Sequence, residues 1–404
     1  MSSLRILVVD DSVVIRQMIS QILAEDSELT VAGVAGDGKI ALAKIQHSMP
    51  DLVTLDVEMP VMDGLETLAE IRKLYPKLPV VMFSTLTERG AGATLEALSL
   101  GASDYVTKPS NTMSRDDARQ RIRAELIPKI KALCRRQSAG NSAPAARPTR
   151  AASSQSVEVP KVRPLKPAVA REAKAIELVA IGTSTGGPNA LAAVLPLFPK
   201  DFPVPIVIVQ HMPPIFTRML AERLASHSAI GVREGSNGVA LEPGVAYIAP
   251  GDFHMIVKKN ASGFQLSLNQ DPQENSCRPA VDVLFRSVAE TCGPHVLGVV
   301  MTGMGSDGVR GSEQIKQVGG NVIVQDEKTS VVWGMPGFTF TEGFADAVYP
   351  LDQLPVEITR RVLAGRPTQN SATQDNATHN SAANAPGSIA AVPRSDRKST
   401  LRVS

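Results

Sequence analysis

Short apolar runs at Leu4–Val9, Leu29–Val34, Leu52–Leu55, Val80–Phe83 and Tyr105–Val106 alternate with segments of helical period. The helical segments start near Ser12, Gly38, Gly64, Gly90 and Ser114. Runs this short and this continuously apolar read as strands buried on both faces, and their alternation with helices predicts a parallel sheet covered on both sides. A second alternating region spans about Ile176 to Leu363, with strand-like runs at Ile176–Ile181, Ile206–Val209, Val296–Met301 and Asn321–Gln325. Inside it, Gly244–Pro250, Phe253–Val257 and Phe264–Leu268 are broken by Gly, Pro and Asn and predict hairpins. The pattern lapses between about Gln137 and Ala173, which is rich in Ala, Ser, Pro, Arg and Lys, and again after Gly365. Such segments cannot bury enough apolar surface to offset their ordering entropy. The prediction is therefore an α/β domain over 1–137, a flexible linker over 138–173, a second α/β domain over 174–364 with an antiparallel insertion in a mainly parallel sheet, and a disordered tail over 365–404. No internal repeat is visible.

Composition changes this picture little. The chain has 404 residues, 43% hydrophobic and only 4% aromatic, so the cores are expected to be aliphatic. A net charge of +2 gives no reason to invoke nucleic acid or an anionic membrane. A nucleic-acid-binding arm in the linker is the sharper alternative there, but its basic residues are dispersed and no aromatic is interleaved. Cys134, Cys277 and Cys292 form no CxxC pair and no zinc spacing, which predicts free thiols in a reducing compartment. No signal-peptide pattern and no apolar stretch of membrane-spanning length is present. The expectation is a soluble cytoplasmic protein.

The candidate chemistry of the first region sits at the strand ends. Asp10 and Asp11 follow the first run, Asp56 closes the third, Thr85 follows the fourth and Lys108 follows the fifth. In an open α/β sheet these carboxyl ends converge on the ligand crevice. Carboxylates without imidazole or thiolate suit a hard ion such as Mg²⁺, and a lysine and a hydroxyl beside them suit phosphoryl oxygens. At every one of these positions the region resembles the receiver domain of two-component response regulators, a doubly wound, flavodoxin-like fold on a five-stranded parallel sheet. The resemblance implies Asp56 as phospho-acceptor, Asp10 and Asp11 with Asp56 as the Mg²⁺ site, Thr85 as switch hydroxyl, Lys108 as phosphate contact and Tyr105 as switch aromatic. It also implies a cis Lys108–Pro109 bond.

In the second region, Gly182-Thr-Ser-Thr-Gly-Gly187 lies between a strand and a helix-like segment, which exposes Ser184 on a tight turn beside backbone N–H groups. Of six histidines only His211, in Val209-Gln-His-Met-Pro213, occupies a strand carboxyl end. Asp307 follows a buried strand through Met301-Thr-Gly-Met-Gly-Ser-Asp-Gly308, and Asp326 and Glu327 are rival acids after Asn321–Gln325. A phosphate-binding loop is the alternative reading of the glycine turn, although it lacks the P-loop lysine and the GxGxxG spacing. Together with Gln325-Asp-Glu and Trp333-Gly-Met-Pro336, these motifs resemble the chemotaxis protein-glutamate methylesterases of the CheB family, across both domains and in their order.

That resemblance implies Ser184 as nucleophile, His211 as base and Asp307 as orienting acid, with Thr185 and Met304 at positions of oxyanion and active-site support. It implies a phosphorylation-activated hydrolase that demethylates glutamate methyl esters and deamidates glutamines on chemoreceptor helices, with no cofactor for the esterase step. The implied partners are methyl-accepting chemoreceptors and a CheA-type histidine kinase, without nucleic acid and without membrane insertion.

Overall fold

The structure is a computed structural model that describes residues 3–109, 114–140, 174–261, 263–364 and 366. The linker expected at 138–173 and the tail expected at 365–404 lie almost wholly outside these residues. The described residues from Ser3 to Ala364 fall in one compact unit.

The first sheet contains β1 (Leu4–Val9), β2 (Leu29–Ala35), β3 (Leu52–Asp56), β4 (Val80–Ser84) and β5 (Asp104–Thr107). All pairings are parallel, in the order β2-β1-β3-β4-β5. The helices between and after them are α1 (Val13–Ala24), α2 (Gly38–Ser48), α3 (Gly64–Leu74), α4 (Glu88–Ser99) and α5 (Arg115–Gly140). Their starts are set by side chains that accept orphan N–H groups: Ser12 caps α1, Asp37 caps α2, and Asp63 with Glu66 forms a capping box on α3. The fourth helix starts two residues before the expected Gly90, because Thr87 accepts the Gly90 N–H and so acts as the cap. The central strands are fully buried, as their unbroken apolar runs require.

The second sheet has seven strands: β6 (Leu178–Thr183), β7 (Ile206–Gln210), β8 (Gly231–Glu234), β9 (Val245–Ile248), β12 (Val296–Val300), β13 (Asn321–Gln325) and β14 (Ala347–Tyr349). Their order is β14-β13-β12-β6-β7-β9-β8, all parallel. The antiparallel insertion is the single hairpin β10 (His254–Asn260) with β11 (Gly263–Asn269). The run Gly244–Pro250 is not part of a hairpin: it supplies β9, a parallel strand of the main sheet. Ala246, Tyr247 and Ile248 are completely buried there, which a one-faced hairpin strand would not allow. Neither β8 nor β14 was anticipated, being short and only partly buried. Helices α6 (Gly187–Val194), α7 (Phe216–His227), α8 (Val281–Cys292), α9 (Val309–Gln317), α10 (Met335–Thr341) and α11 (Leu354–Leu363) cover the faces.

The two sheets meet through α4 and β5 on one side and α6 and α7 on the other. One apolar cluster runs from Leu95, Leu98 and Tyr105 into Ala190, Phe216 and Leu220. No helix among the described residues is long and apolar enough to cross a membrane.

Candidate functional sites

The strand ends of the first sheet assemble a pocket of about 180 Å³ lined by Asp11, Asp56, Val57, Glu58, Ser84, Thr85, Gly90 and Lys108. Carboxylate oxygens of Asp10, Asp11 and Asp56 lie within 4.8 Å of one another. Lys108 Nζ bridges Asp10 Oδ2 at 2.9 Å and Asp56 Oδ2 at 2.8 Å. Burial, then the neighbouring Asp10, pushes the Asp56 carboxyl up to about 6 against the opposing pull of Lys108. The lysine is held above its ordinary value: burial works against its charge, and Asp56 and Asp10 outweigh it. Three clustered carboxylate donors, with no imidazole or thiolate among them, fit a hard ion such as Mg²⁺.

Thr85 is exposed at this pocket, and its hydroxyl lies 3.1 Å from that of Thr87, the cap of α4. Tyr105 is not part of the pocket. Its buried ring stacks on Phe216 of α7, with centroids 5.0 Å apart and planes 9° from parallel. The Lys108–Pro109 bond is trans; the cis bond among the described residues is Arg278–Pro279. Trans is the lower-energy form of an X–Pro bond.

In the second sheet β12, β6 and β7 are neighbours at its centre, so Asp307, Ser184 and His211 leave three adjacent strand ends. The His211 N–H donates to the Thr183 carbonyl at 3.2 Å and the Ser184 N–H to that of Thr302 at 3.0 Å, which ties the loops together. The turn needs glycine twice. Gly186 has φ +76°, and a Cβ on Gly187 would stand 1.9 Å from Gln210 Oε1. Gln210, buried at the end of β7, donates through Nε2 to the Ser184 carbonyl at 3.0 Å and so fixes the turn from beneath.

Asp307 is buried and accepts four hydrogen bonds. Oδ2 takes the Val281 N–H at 2.6 Å and lies 2.8 Å from His211 Nε2. Oδ1 takes the Asp282 N–H at 2.9 Å and Asn275 Nδ2 at 2.8 Å. The residue before α8, Ala280, has no side chain to cap it, so Asp307 serves as the acceptor at that helix end. Burial raises its carboxyl, but the His211 ring and the two backbone donors outweigh this and hold it below the ordinary range. Burial also disfavours the His211 imidazolium, yet the Cys277 sulfur and Asp307 together lift the ring above its ordinary value.

The second ring nitrogen, Nδ1, faces Cys277 Sγ at 3.6 Å. No hydrogen bond joins Ser184 to His211 among the described residues. The N–H groups of Thr185 and Met304 make no hydrogen bond there either. The rival acids are engaged elsewhere or exposed. Asp326 binds the Thr329 N–H at 3.0 Å within its own turn, and Glu327 points to solvent. Of the other histidines, His254 is wedged between the Pro272 carbonyl and the Ala280 N–H, while His227 and His295 meet backbone carbonyls. His47 is exposed, and His379 lies outside the described residues.

Sequence reasoning did not find Asn275, Cys277, Asp282 or Gln210. Asn275 and Cys277 come from one irregular segment with no periodicity, Cys277 read as a free thiol, and Asp282 sits in the first turn of α8 where it read as an ordinary helix residue. Gln210 did carry a signal, as a polar residue closing an otherwise apolar strand.

Residues 179–358 match the family described as CheB methylesterase, and residues 6–122 match the response regulator receiver domain. A protein-glutamate methylesterase/protein-glutamine glutaminase of Trichodesmium erythraeum is 50% identical over 90% of this chain and 100% of its own. One so named from Nocardioides sp. is 48% identical over 91% of this chain and 98% of its own. The crystal structure of the Thermotoga maritima CheB methylesterase catalytic domain is 43% identical, covers 46% of this chain and 99% of its own, and has a TM-score of 0.45. By whole-length relationship and by both of its domains, this chain belongs to the CheB methylesterase family, in the form that carries an N-terminal response regulator receiver domain.

Proposed function

We propose that this chain is a protein-glutamate methylesterase and protein-glutamine glutaminase that acts on chemoreceptor cytoplasmic helices and is switched by phosphorylation of Asp56. The observation that carries the esterase reading is the 2.8 Å His211–Asp307 pair on the strands flanking the one that ends in Ser184. With Nε2 committed to Asp307, Nδ1 is the ring nitrogen left to act as base. Rotation of Ser184 towards it displaces the thiol of Cys277. Nδ1 takes the Ser184 proton as the oxygen attacks the γ-carbonyl, and the unbonded N–H groups of Thr185 and Met304 are the donors for the oxyanion. As the C–O bond breaks, His211 gives that proton to the departing methoxide, which leaves as methanol, or to the amide nitrogen of a glutamine, which leaves as ammonia. Water, deprotonated by the same nitrogen, then releases the glutamate. The turnover adds one negative charge to the receptor per ester or amide hydrolysed.

On the receiver, Asp56 accepts the phosphoryl group from a CheA-type histidine kinase, and Lys108 and Thr85 receive its oxygens. Asp10, Asp11 and Asp56 would hold Mg²⁺, which would neutralise charge during that transfer. Contacts between the domains support control of the esterase by this event. Asn189 of α6 donates to the Leu98 carbonyl at 2.8 Å, Arg218 of α7 pairs with Glu88 of α4, and Tyr105 stacks on Phe216. Helices α6 and α7 follow directly on the loops of Ser184 and His211. Movement of Thr85 towards a phosphoryl group would take it from the α4 cap and loosen that contact. On this reading the receiver spans 1–137, the linker 138–173, the esterase 174–364 and the tail 365–404. The chain works in solution in the cytoplasm.

The test is methanol release from methylated receptor membranes, with and without a small phosphodonor plus Mg²⁺. Release is expected to vanish in Ser184→Ala, and its stimulation by phosphodonor to vanish in Asp56→Ala. Release that persists in Ser184→Ala would sink the nucleophile assignment.

A further inference from the structure

The segment 274–279 crosses over the acid–base pair without belonging to any helix or strand. It is pinned at both ends: Glu274 pairs with Arg286 of α8, and Arg278 pairs with Asp252. Between the pins, Asn275 and Ser276 take left-handed backbone angles, φ 52° and 60°. Asparagine tolerates that region better than most residues. The turn brings Asn275 Nδ2 within 2.8 Å of Asp307 Oδ1 and 2.9 Å of Asp282 Oδ2. An amide nitrogen has two hydrogens, so one group can serve both carboxylates at once.

Asp282 is itself buried and otherwise accepts the Gly311 N–H at 2.7 Å. Two buried carboxylates this close repel each other in a medium of low dielectric. Asn275 supplies the donor that stands between them. Without it, Asp307 would keep its backbone donors but lose the contact that fixes Oδ1, and the unscreened Asp282 would push it away from His211.

We propose that Asn275 is a positioning residue of the esterase: its amide holds the Asp307 carboxylate in the orientation that meets His211, and separates it from Asp282. This rests on the reading of Ser184, His211 and Asp307 as the catalytic groups. Asn275 touches neither substrate nor base, and it acts only through Asp307.

The experiment compares kcat and KM of the full chain for wild type, Asn275→Gly, Asn275→Asp and the double variant Asn275→Gly/Asp282→Asn, with circular dichroism to check folding. Glycine preserves the left-handed backbone and removes the amide. Its kcat is expected to fall about tenfold to a hundredfold, the range seen when a partner that orients a metal ligand is lost, with KM little changed. Asn275→Asp is isosteric but converts donation into repulsion, and is expected to lose more. Removing the Asp282 charge should recover several-fold of the Asn275→Gly loss, a coupling that a merely structural role would not produce. Wild-type kcat in Asn275→Gly or Asn275→Asp would overturn the proposal. So would a loss that tracks unfolding, or one that Asp282→Asn does not relieve. Failure of the underlying triad would look different, as activity surviving in Ser184→Ala.

Discussion

The two sites of this molecule are built on the same principle and held by different means. In the receiver, the carboxylates of Asp10, Asp11 and Asp56, the Thr85 hydroxyl and Lys108 all come from strand ends, and Lys108 lies between Asp10 and Asp56. In the esterase, three strand ends supply Ser184, His211 and Asp307, but the acid is oriented by groups from elsewhere. These are the first turn of α8 and the loop that carries Asn275. On the proposed reading the receiver pocket exchanges ions and phosphoryl groups with solvent, so a compact cluster of charges open to one side suffices. An acid that orients a base must stay ionised while buried, and each of its lone pairs then needs a donor.

This contrast can be broken or sharpened by experiment, starting with the largest effect. Ser184→Ala should lower methanol release by at least about a thousandfold, with Asp307→Asn close behind, because triad members act as a unit. A mild effect of Asp307→Asn would mean that the elaborate bonding around Asp307 serves folding alone. Gly187→Ala forces a Cβ into Gln210 and the Thr183 hydroxyl. It should cost about 1–3 kcal/mol of stability, read as a lower unfolding midpoint, together with most of the activity. Unchanged activity would show that the nucleophile turn tolerates displacement.

Tyr105→Ala tests whether the two regions are energetically joined. The variant removes the stacking on Phe216, worth about 0.5–1.5 kcal/mol. Basal release by the unphosphorylated chain should then rise about twofold to tenfold. Activity that stays flat or falls would exclude simple restraint through this contact.

The smallest effect concerns Cys277. A general base works in its neutral form, so activity rises as pH passes the His211 pKa, which is held above its ordinary value. Pairing of the imidazolium with the Cys277 sulfur contributes to that elevation. Cys277→Ala should therefore move the ascending limb of kcat/KM to lower pH. A shift to higher pH would show instead that the thiol donates to the neutral ring.

Asp10, Asp11, Asp56, Thr85 and Lys108 were legible as neighbours because each lies within two residues of the end of an apolar run, and strand order brings such ends together; Tyr105, within its run, lies outside the pocket. Ser184 and His211 were legible as neighbours for the same reason. Choosing Asp307 over Asp326 was not possible from spacing, since both follow strands. Asp326 is set aside by its own turn, where it binds Thr329. The run Gly244–Pro250 misled because glycine and proline at its ends suggested a hairpin, whereas burial on both faces made it a parallel strand.

What the sequence by itself determined is the pair of alternating patterns and the residues at their strand ends. Local periodicity and turn chemistry are short-range properties that the chain carries wherever it goes. What only the tertiary structure decided is which distant groups complete the sites. Asn275 meets Asp307 across 32 positions, Cys277 meets His211 across 66, and Asn189 meets Leu98 across 91. Those contacts form because burying the two sheets leaves few positions where a charged or polar group can find its donors. No pattern along the chain encodes that choice.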